Sequence, residues 1–131
     1  MSLEIGLRGV AKMRVIPQHT AEAWGSGDVP VFGTPSLVAL LETAAVKAVA
    51  GRLGPEETTV GTWLDVSHLA ATPIGVDVRA EAELVAIEGR KLTFTVVAYD
   101  NREKIGECRH HRMILSRDRF LAKTLDKQST G

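Results

Sequence analysis

The sequence predicts an α+β domain in which an antiparallel β-sheet wraps around one long central helix. The helix is predicted from residues 34–51, TPSLVALLETAAVKAVAG, a largely apolar run with helix start and stop signals at its ends. The four segments after it alternate apolar and polar residues and are joined largely by short turns. Strands that follow one another in this way favour an antiparallel sheet over a doubly wound one.

The N-terminal part of the chain predicts one strand and then a loop. Apolar residues alternate over residues 3–16, interrupted by two glycines, and Pro17 ends this segment. Residues 18–33 have no clear period and include several small residues. We therefore expect a loop or lid directly in front of the helix.

The predicted helix begins at Thr34, whose hydroxyl can cap the first turn, and Pro35 suits the first helical position. Gly51 and Gly54 supply the stop. Because apolar residues occur nearly all round this helix, we expect it to be largely buried. Glu42 interrupts the apolar run. A carboxylate there loses hydration and needs a compensating partner, so Glu42 is a candidate site residue.

The predicted strands after the helix span residues 59–69, 76–87, 91–99 and 103–116. In the first of them, alternation places His68 on the same side as Leu64 and Val66. A short terminal helix is expected over 117–125 and a flexible tail over 126–131. A sheet of this size curled around one apolar helix is the hotdog fold, and we expect residues 1–131 to form one such domain.

The composition excludes several classes of partner. Hydrophobic residues make up 44% of the chain and charged residues 24%, and sixteen basic and sixteen acidic residues give zero formal net charge. No global field therefore favours nucleic acid or an anionic membrane, and neither is an expected partner. Cys108 is the one cysteine, so an intrachain disulfide is impossible. With no signal-peptide layout and no apolar run of about 18 residues, a cytoplasmic protein is expected.

Five residues carry a resemblance to a known family. Thr34, Glu42, Gly61, His68 and Arg112, in this order and spacing, resemble the fluoroacetyl-CoA thioesterase family of hotdog proteins, and the likeness covers most of the chain. It implies hydrolysis of a small acyl-CoA thioester at the interface of a homodimer, with coenzyme A only as part of the substrate and no separate cofactor. By this resemblance Thr34, Glu42 and His68 are catalytic, and Gly61 and Arg112 bind the substrate.

The residue types fit this chemistry. Thioester hydrolysis needs a nucleophile or an activated water, a donor for the developing oxyanion, and an acid or base near neutral pH. Glu42 could attack directly or act as a base, and His68 titrates in the useful range. The Gly61 amide, with no side chain to shield it, could donate to the carbonyl oxygen. Arg112 could orient Glu42 or hold a phosphate.

Each of these residues also has a purely structural interpretation. Thr34 could be an N-cap only, and Glu42 could form a buried ion pair with Arg112. His68 could be a hydrogen-bonded core histidine and Gly61 a bulge or packing glycine. On an outer strand position, Arg112 could also be a solvated surface charge.

We expect no metal site. His110 and His111 are adjacent in a predicted strand and so point to opposite faces, which separates two potential ligands. Cys108 is expected to be a core residue, since nothing beside it marks a reactive thiolate.

The predicted lid departs from the fluoroacetyl-specific pattern, which places phenylalanines ahead of the catalytic threonine. Here residues 24–28 read WGSGD, and Trp24 and Phe32 are the only aromatic residues of this segment. We therefore expect hydrolase chemistry without fluoroacetyl selectivity. Two other functions stay open on the same fold. One is a non-catalytic module that binds acyl-CoA or another small ligand, and the other is a hydratase or dehydratase of thioesters.

Overall fold

A computed structural model describes residues 2–130. The main elements are β1 (Arg8–Arg14), α1 (Ala21–Trp24), α2 (Thr34–Ala48), β2 (Glu57–His68), β3 (Asp77–Glu88), β4 (Lys91–Tyr99), β5 (Lys104–Ser116) and α3 (Arg117–Leu125). Two 3₁₀ turns, Pro17–His19 and Asp126–Thr130, complete them. The predicted tail stays a prediction for residues 126–130, and residue 131 lies outside the described residues. No helix within residues 2–130 is long and apolar enough to cross a membrane.

The five strands form one antiparallel sheet in the order β1-β3-β4-β5-β2. Helix α2 packs against every strand, most extensively against β1 and β3. The sheet and α2 enclose the core, whose largest fully buried apolar side chains include Leu37, Leu40, Leu41, Leu84 and Phe94. The predicted α+β hotdog fold is confirmed. The strands β1 and β2 are left at the two edges of the sheet.

Helix α2 differs from its prediction at both ends and on one face. It ends at Ala48, and its N-cap is Gly33, whose backbone is extended, so the prediction that Thr34 caps the helix is wrong. Thr34 is already helical, which leaves its hydroxyl free for a partner elsewhere. Burial is also one-sided, because Val46 is 44% exposed.

An irregularity in β2 changes which residues share a face. The register with β5 shifts between Gly61 and Trp63, so Thr62 is an extra residue in this strand. Strict alternation would place Gly61 and His68 on opposite faces, since they are seven positions apart. The bulge reverses the alternation, and both residues face α2.

β1 approaches α2 very closely at Gly9. A Cβ atom built on this buried residue would overlap the carbonyl oxygen of Ala44 and the amide nitrogen of Ala48. Both are backbone atoms of α2 and cannot swing aside. The absence of a side chain at Gly9 therefore lets the edge strand reach the helix.

Gly9→Ala should lower the free energy of unfolding by about 1–3 kcal/mol, because either strand or helix must shift to admit the methyl group. Urea denaturation would measure this loss. Val10→Thr is the matched control, since Val10 is 45% exposed on the other face of β1, and its effect should stay within about 0.5 kcal/mol. Equal stabilities of Gly9→Ala and wild type would contradict the close approach.

Candidate active site

Thr34 and His68 form the first polar pair of the site. Thr34 opens α2 and His68 closes β2, and the Thr34 Oγ1 lies 2.8 Å from the His68 Nδ1. The Thr34 hydroxyl, which does not cap α2, therefore contacts a residue of the sheet instead. Partial burial lowers the pKa of the His68 imidazole. The His68 Nε2 is buried and has no hydrogen-bond partner among residues 2–130. Buried polar atoms are normally hydrogen-bonded, so a substrate or a second subunit is a candidate to supply the partner of this nitrogen.

An open cleft of about 360 Å³, lined mostly by apolar residues, lies beside this pair. It is lined by Val31, Phe32, Thr34, His68, Leu69, Ala70 and Ala71. The predicted lid supplies Val31 and Phe32, and hydrogen bonds hold it in place. The Phe32 amide donates to the Thr72 carbonyl, and the Trp24 indole donates to the Ser36 hydroxyl at 2.8 Å. A small acyl group fits the chemistry of this lining.

Glu42 and Arg112 form the second polar pair. The Arg112 Nη1 donates to the Glu42 Oε2 at 3.0 Å. The Glu42 side chain is 36% exposed, whereas that of Arg112 is 7% exposed. The carboxylate therefore sits at the rim of the core with one oxygen held by a buried cation. The ion pair foreseen between these two residues is present.

Arg112 is fixed by several acceptors. Its Nε donates to the Thr59 Oγ1 at 2.9 Å, and its Nη2 donates to the Thr59 carbonyl at 3.1 Å. Its Nη1 also lies 3.1 Å from the His110 Nε2. The interpretation of Arg112 as a solvated surface charge is wrong, because the residue itself is buried, faces α2 and is hydrogen-bonded to Glu42, Thr59 and His110.

His110 is fully buried, and its protonation state follows from its neighbours. A guanidinium nitrogen can only donate, so the His110 Nε2 must accept from Arg112 through its lone pair. The remaining proton then lies on Nδ1, which donates to the Trp63 carbonyl at 2.9 Å. Burial lowers the pKa of this imidazole, in agreement with a neutral ring. An ion pair with Glu42, whose Oε2 is 3.9 Å away, would need the protonated ring.

Gly61 lies directly against the Glu42 carboxylate. A Cβ atom at Gly61 would overlap the Glu42 Oε2 and would approach the His110 Cε1 to 3.2 Å and the Arg112 Nη1 to 3.3 Å. The structural interpretation of Gly61 as a packing glycine beside a bulge therefore holds. A functional role of its amide is compatible with this packing.

The structure joins the five predicted site residues into two clusters within one chain. Thr34 pairs with His68, while Glu42 lies with Gly61 and Arg112. No hydrogen bond connects Glu42 to His68 in the part of the chain that the structure describes. Thr34 and Glu42 are eight residues apart on α2, which corresponds to about 12 Å along a helix.

Sequence reasoning did not assign His110 and Thr59 to the site. The spacing of His110 and Arg112, two residues apart in a strand, is a signal that they share a face. No local signal points to Thr59. The predicted separation of His110 and His111 is confirmed, since His111 stacks on Trp63 with ring centroids 4.4 Å apart while His110 faces the core. Cys108 is a core residue as predicted, and burial raises the pKa of its thiol to about 12.

Comparisons with known proteins agree with this fold. The family model for the fluoroacetyl-CoA-specific thioesterase matches residues 15–118. The fluoroacetyl-CoA thioesterase of Streptantibioticus cattleyicolor is 42% identical over 101 residues, which cover 77% of this chain and 73% of that protein. A crystal structure of a fluoroacetyl-CoA thioesterase has a TM-score of 0.89 at 35% identity, covering 97% of this chain and 98% of its own. A thioesterase superfamily member from Thermus thermophilus has a TM-score of 0.89 at 27% identity, covering 97% and 94%.

The fold and these relatives define a hotdog-fold acyl-CoA thioesterase, a hydrolase that acts on thioester bonds. Within that class, the chain belongs to the fluoroacetyl-CoA-specific thioesterase family. The resemblance found in the sequence is thereby confirmed.

Gly61→Ala should reduce thioesterase kcat by about 10²-fold, since its methyl group would displace the Glu42 carboxylate from Arg112 and small misplacements have effects of this size. Thioesterase assays of the purified protein would measure kcat, and thermal denaturation would show that the variant is folded. Ser67→Ala, on the exposed face of the same strand, is the control and should keep wild-type activity. Full activity of Gly61→Ala would mean that the position of Glu42 does not matter.

Proposed function

We propose that this chain hydrolyses a small acyl-CoA thioester with Thr34, Glu42 and His68 as catalytic residues and with Gly61 and Arg112 as substrate-binding residues. The observation that carries the proposal is the 2.8 Å pair of Thr34 and His68 at the mouth of an apolar cleft. The Glu42 carboxylate, held on one side by Arg112, supports it.

The role of coenzyme A as the thiol half of the substrate rests on a relative. One variant of the related fluoroacetyl-CoA thioesterase has been crystallised with acetyl-CoA, and another with fluoroacetate and CoA. We extend this substrate class to the present chain. We place the protein in the cytoplasm, since Cys108 has no second cysteine with which to form an intrachain disulfide.

Glu42 is suited to act on the thioester carbonyl because Arg112 holds only one of its oxygens. Direct attack would form an acyl–glutamyl anhydride and release the thiolate of coenzyme A, and water would then hydrolyse the anhydride. Alternatively, the carboxylate takes a proton from a water molecule that attacks the same carbonyl. Both routes need the ionised carboxylate beside the reacting carbon.

His68 is suited to proton transfer. Its lowered pKa keeps the imidazole neutral near pH 7. In the anhydride route, after the thiolate of coenzyme A has left, the Nε2 can accept the proton of the water molecule that hydrolyses the anhydride. The Thr34 hydroxyl holds the Nδ1 and so orients the ring. The Gly61 amide is the proposed donor to the oxyanion, an interaction worth about 10²- to 10³-fold in rate where it has been removed from other enzymes.

The separation of the two clusters supports a site shared between two protomers. β2 is an edge strand, and an antiparallel pairing with β2 of a second copy would extend the sheet. Because Thr62 is an extra residue, a two-fold axis at Asp65 would place Gly61 of one protomer opposite His68 of the other. The pairing would also cover the exposed Val46 of α2. We therefore propose a homodimer in which Glu42 acts with the Thr34–His68 pair of the partner subunit.

Glu42→Gln and His68→Ala should each lower kcat/KM by about 10²- to 10⁴-fold, because each removes an acid/base group or the nucleophile. Release of coenzyme A from acetyl-, propionyl-, butyryl- and fluoroacetyl-CoA, followed with a thiol reagent, would measure the effect. We expect no preference for fluoroacetyl-CoA over acetyl-CoA, since Trp24 and Phe32 are the only aromatic residues in the lid.

The control is Ser67→Ala, on the exposed face of β2, which should retain activity. If every ester is hydrolysed only at the background rate while acyl-CoA binds tightly, the protein is a non-catalytic binding module and the proposed hydrolysis is wrong. Unchanged rates in both variants would remove Glu42 and His68 from the mechanism. A strong preference for fluoroacetyl-CoA would overturn only the expectation that this selectivity is absent.

Mixing the Glu42→Gln and His68→Ala variants should restore activity if the site is shared between protomers. Random re-association of a dimer gives heterodimers with one intact site, so recovery should approach about one quarter of the wild-type rate. The measurement is activity after mixing and subunit exchange, with sedimentation to confirm dimers. Absence of recovery despite heterodimer formation, shown by affinity tags on each variant, would place Glu42 and His68 of one site in the same chain.

A further inference from the structure

We propose that His110 is a positioning residue of this thioesterase: as a neutral hydrogen-bond acceptor, it holds the Arg112 guanidinium and, through it, the Glu42 carboxylate. The inference rests on the proposed role of Glu42 in the reaction. It adds a residue that does not reach the substrate and whose effect passes through Arg112.

The hydrogen atoms of Arg112 show how the effect is transmitted. Its Nη1 carries two of them, and the two acceptors within reach are the Glu42 Oε2 at 3.0 Å and the His110 Nε2 at 3.1 Å. One hydrogen points at each acceptor, so the position of His110 fixes the rotation of the guanidinium plane. Thr59 fixes the other side of the same plane through two bonds. The carboxylate of Glu42 is thus held in one orientation rather than by charge alone.

This arrangement works only while His110 is neutral. A proton on Nε2 would set two N–H groups against each other at 3.1 Å, and Arg112 would have to move and take Glu42 with it. The ionisable groups around the ring are Glu42 from α2 and Arg112 from β5, with His111 on the opposite face of β5. β2 contributes the Trp63 carbonyl and β4 the apolar ring of Phe94. Burial, which is the largest cause, and the Arg112 charge lower the pKa of His110, and they outweigh the Trp63 carbonyl and the Glu42 carboxylate, which raise it.

The protonation state can be tested without any activity measurement. In ¹⁵N-labelled protein at neutral pH, the His110 imidazole should be the Nδ1–H tautomer, and its pKa should lie below that of an ordinary histidine because the ring is buried. Arg112→Met should shift the Nε2 resonance, since it removes the hydrogen bond to that atom. An Nε2–H tautomer in the wild type, or a pKa that is not lowered, would overturn the proposal, whatever the role of Glu42 proves to be.

Matched substitutions test the positioning role. His110→Gln places an amide oxygen near the position of Nε2 and can still accept from Arg112, so kcat should stay within about 10-fold of wild type. His110→Asn can reach the Trp63 carbonyl but not Arg112, and kcat should fall by about 10²-fold, as small misplacements produce. His111→Gln, on the opposite face of the same strand, should match wild type.

Two outcomes of this series would contradict the proposal. The first is a His110→Asn variant with wild-type kcat, and the second is an equal loss in the Gln and Asn variants when both are folded by circular dichroism. If Glu42→Gln itself keeps full activity, the proposed reaction mechanism fails, while the tautomer of His110 still decides whether it holds Arg112.

Discussion

The buried guanidinium of Arg112 is the constraint on which the site depends. Removing a cation of this size from water costs several kcal/mol unless a counter-charge and hydrogen bonds replace the water. Glu42 supplies the charge, and Thr59 and His110 supply further acceptors. These partners lie on α2, β2 and β5, so one charged group ties the helix to the open edge of the sheet.

That requirement explains two features of β2. Gly61 leaves room for the Glu42 carboxylate beside Arg112, because a methyl group there would occupy the space of that carboxylate. The bulge at Thr62 then turns the strand so that His68, seven residues after Gly61, also faces α2. In a regular strand, only one of Gly61 and His68 would face α2, and the other would lie on the outer face of the sheet.

The N-terminus of α2 also positions a site residue. Because Gly33 takes the capping position, Thr34 enters the helix and its hydroxyl is available to His68. The lid is fastened beside it by Trp24 and Phe32, which encloses the apolar cleft on one side. The Thr34–His68 pair and the Glu42–Arg112 pair therefore lie at different positions along α2. The proposed dimer would bring the first pair of one protomer close to the second pair of the other.

The sequence by itself determined the central helix, the antiparallel strands and the isolation of Glu42 among apolar residues, because hydrophobic periodicity and turn signals act over a few neighbouring positions. Only the tertiary structure decided that Gly33 caps α2, that Thr62 is a bulge, and that Arg112 is buried. The pairs Thr34–His68 and Glu42–Arg112 join residues 34 and 70 positions apart. Such contacts depend on strand register and on how the helix lies across the sheet, and no local pattern in the chain carries that information.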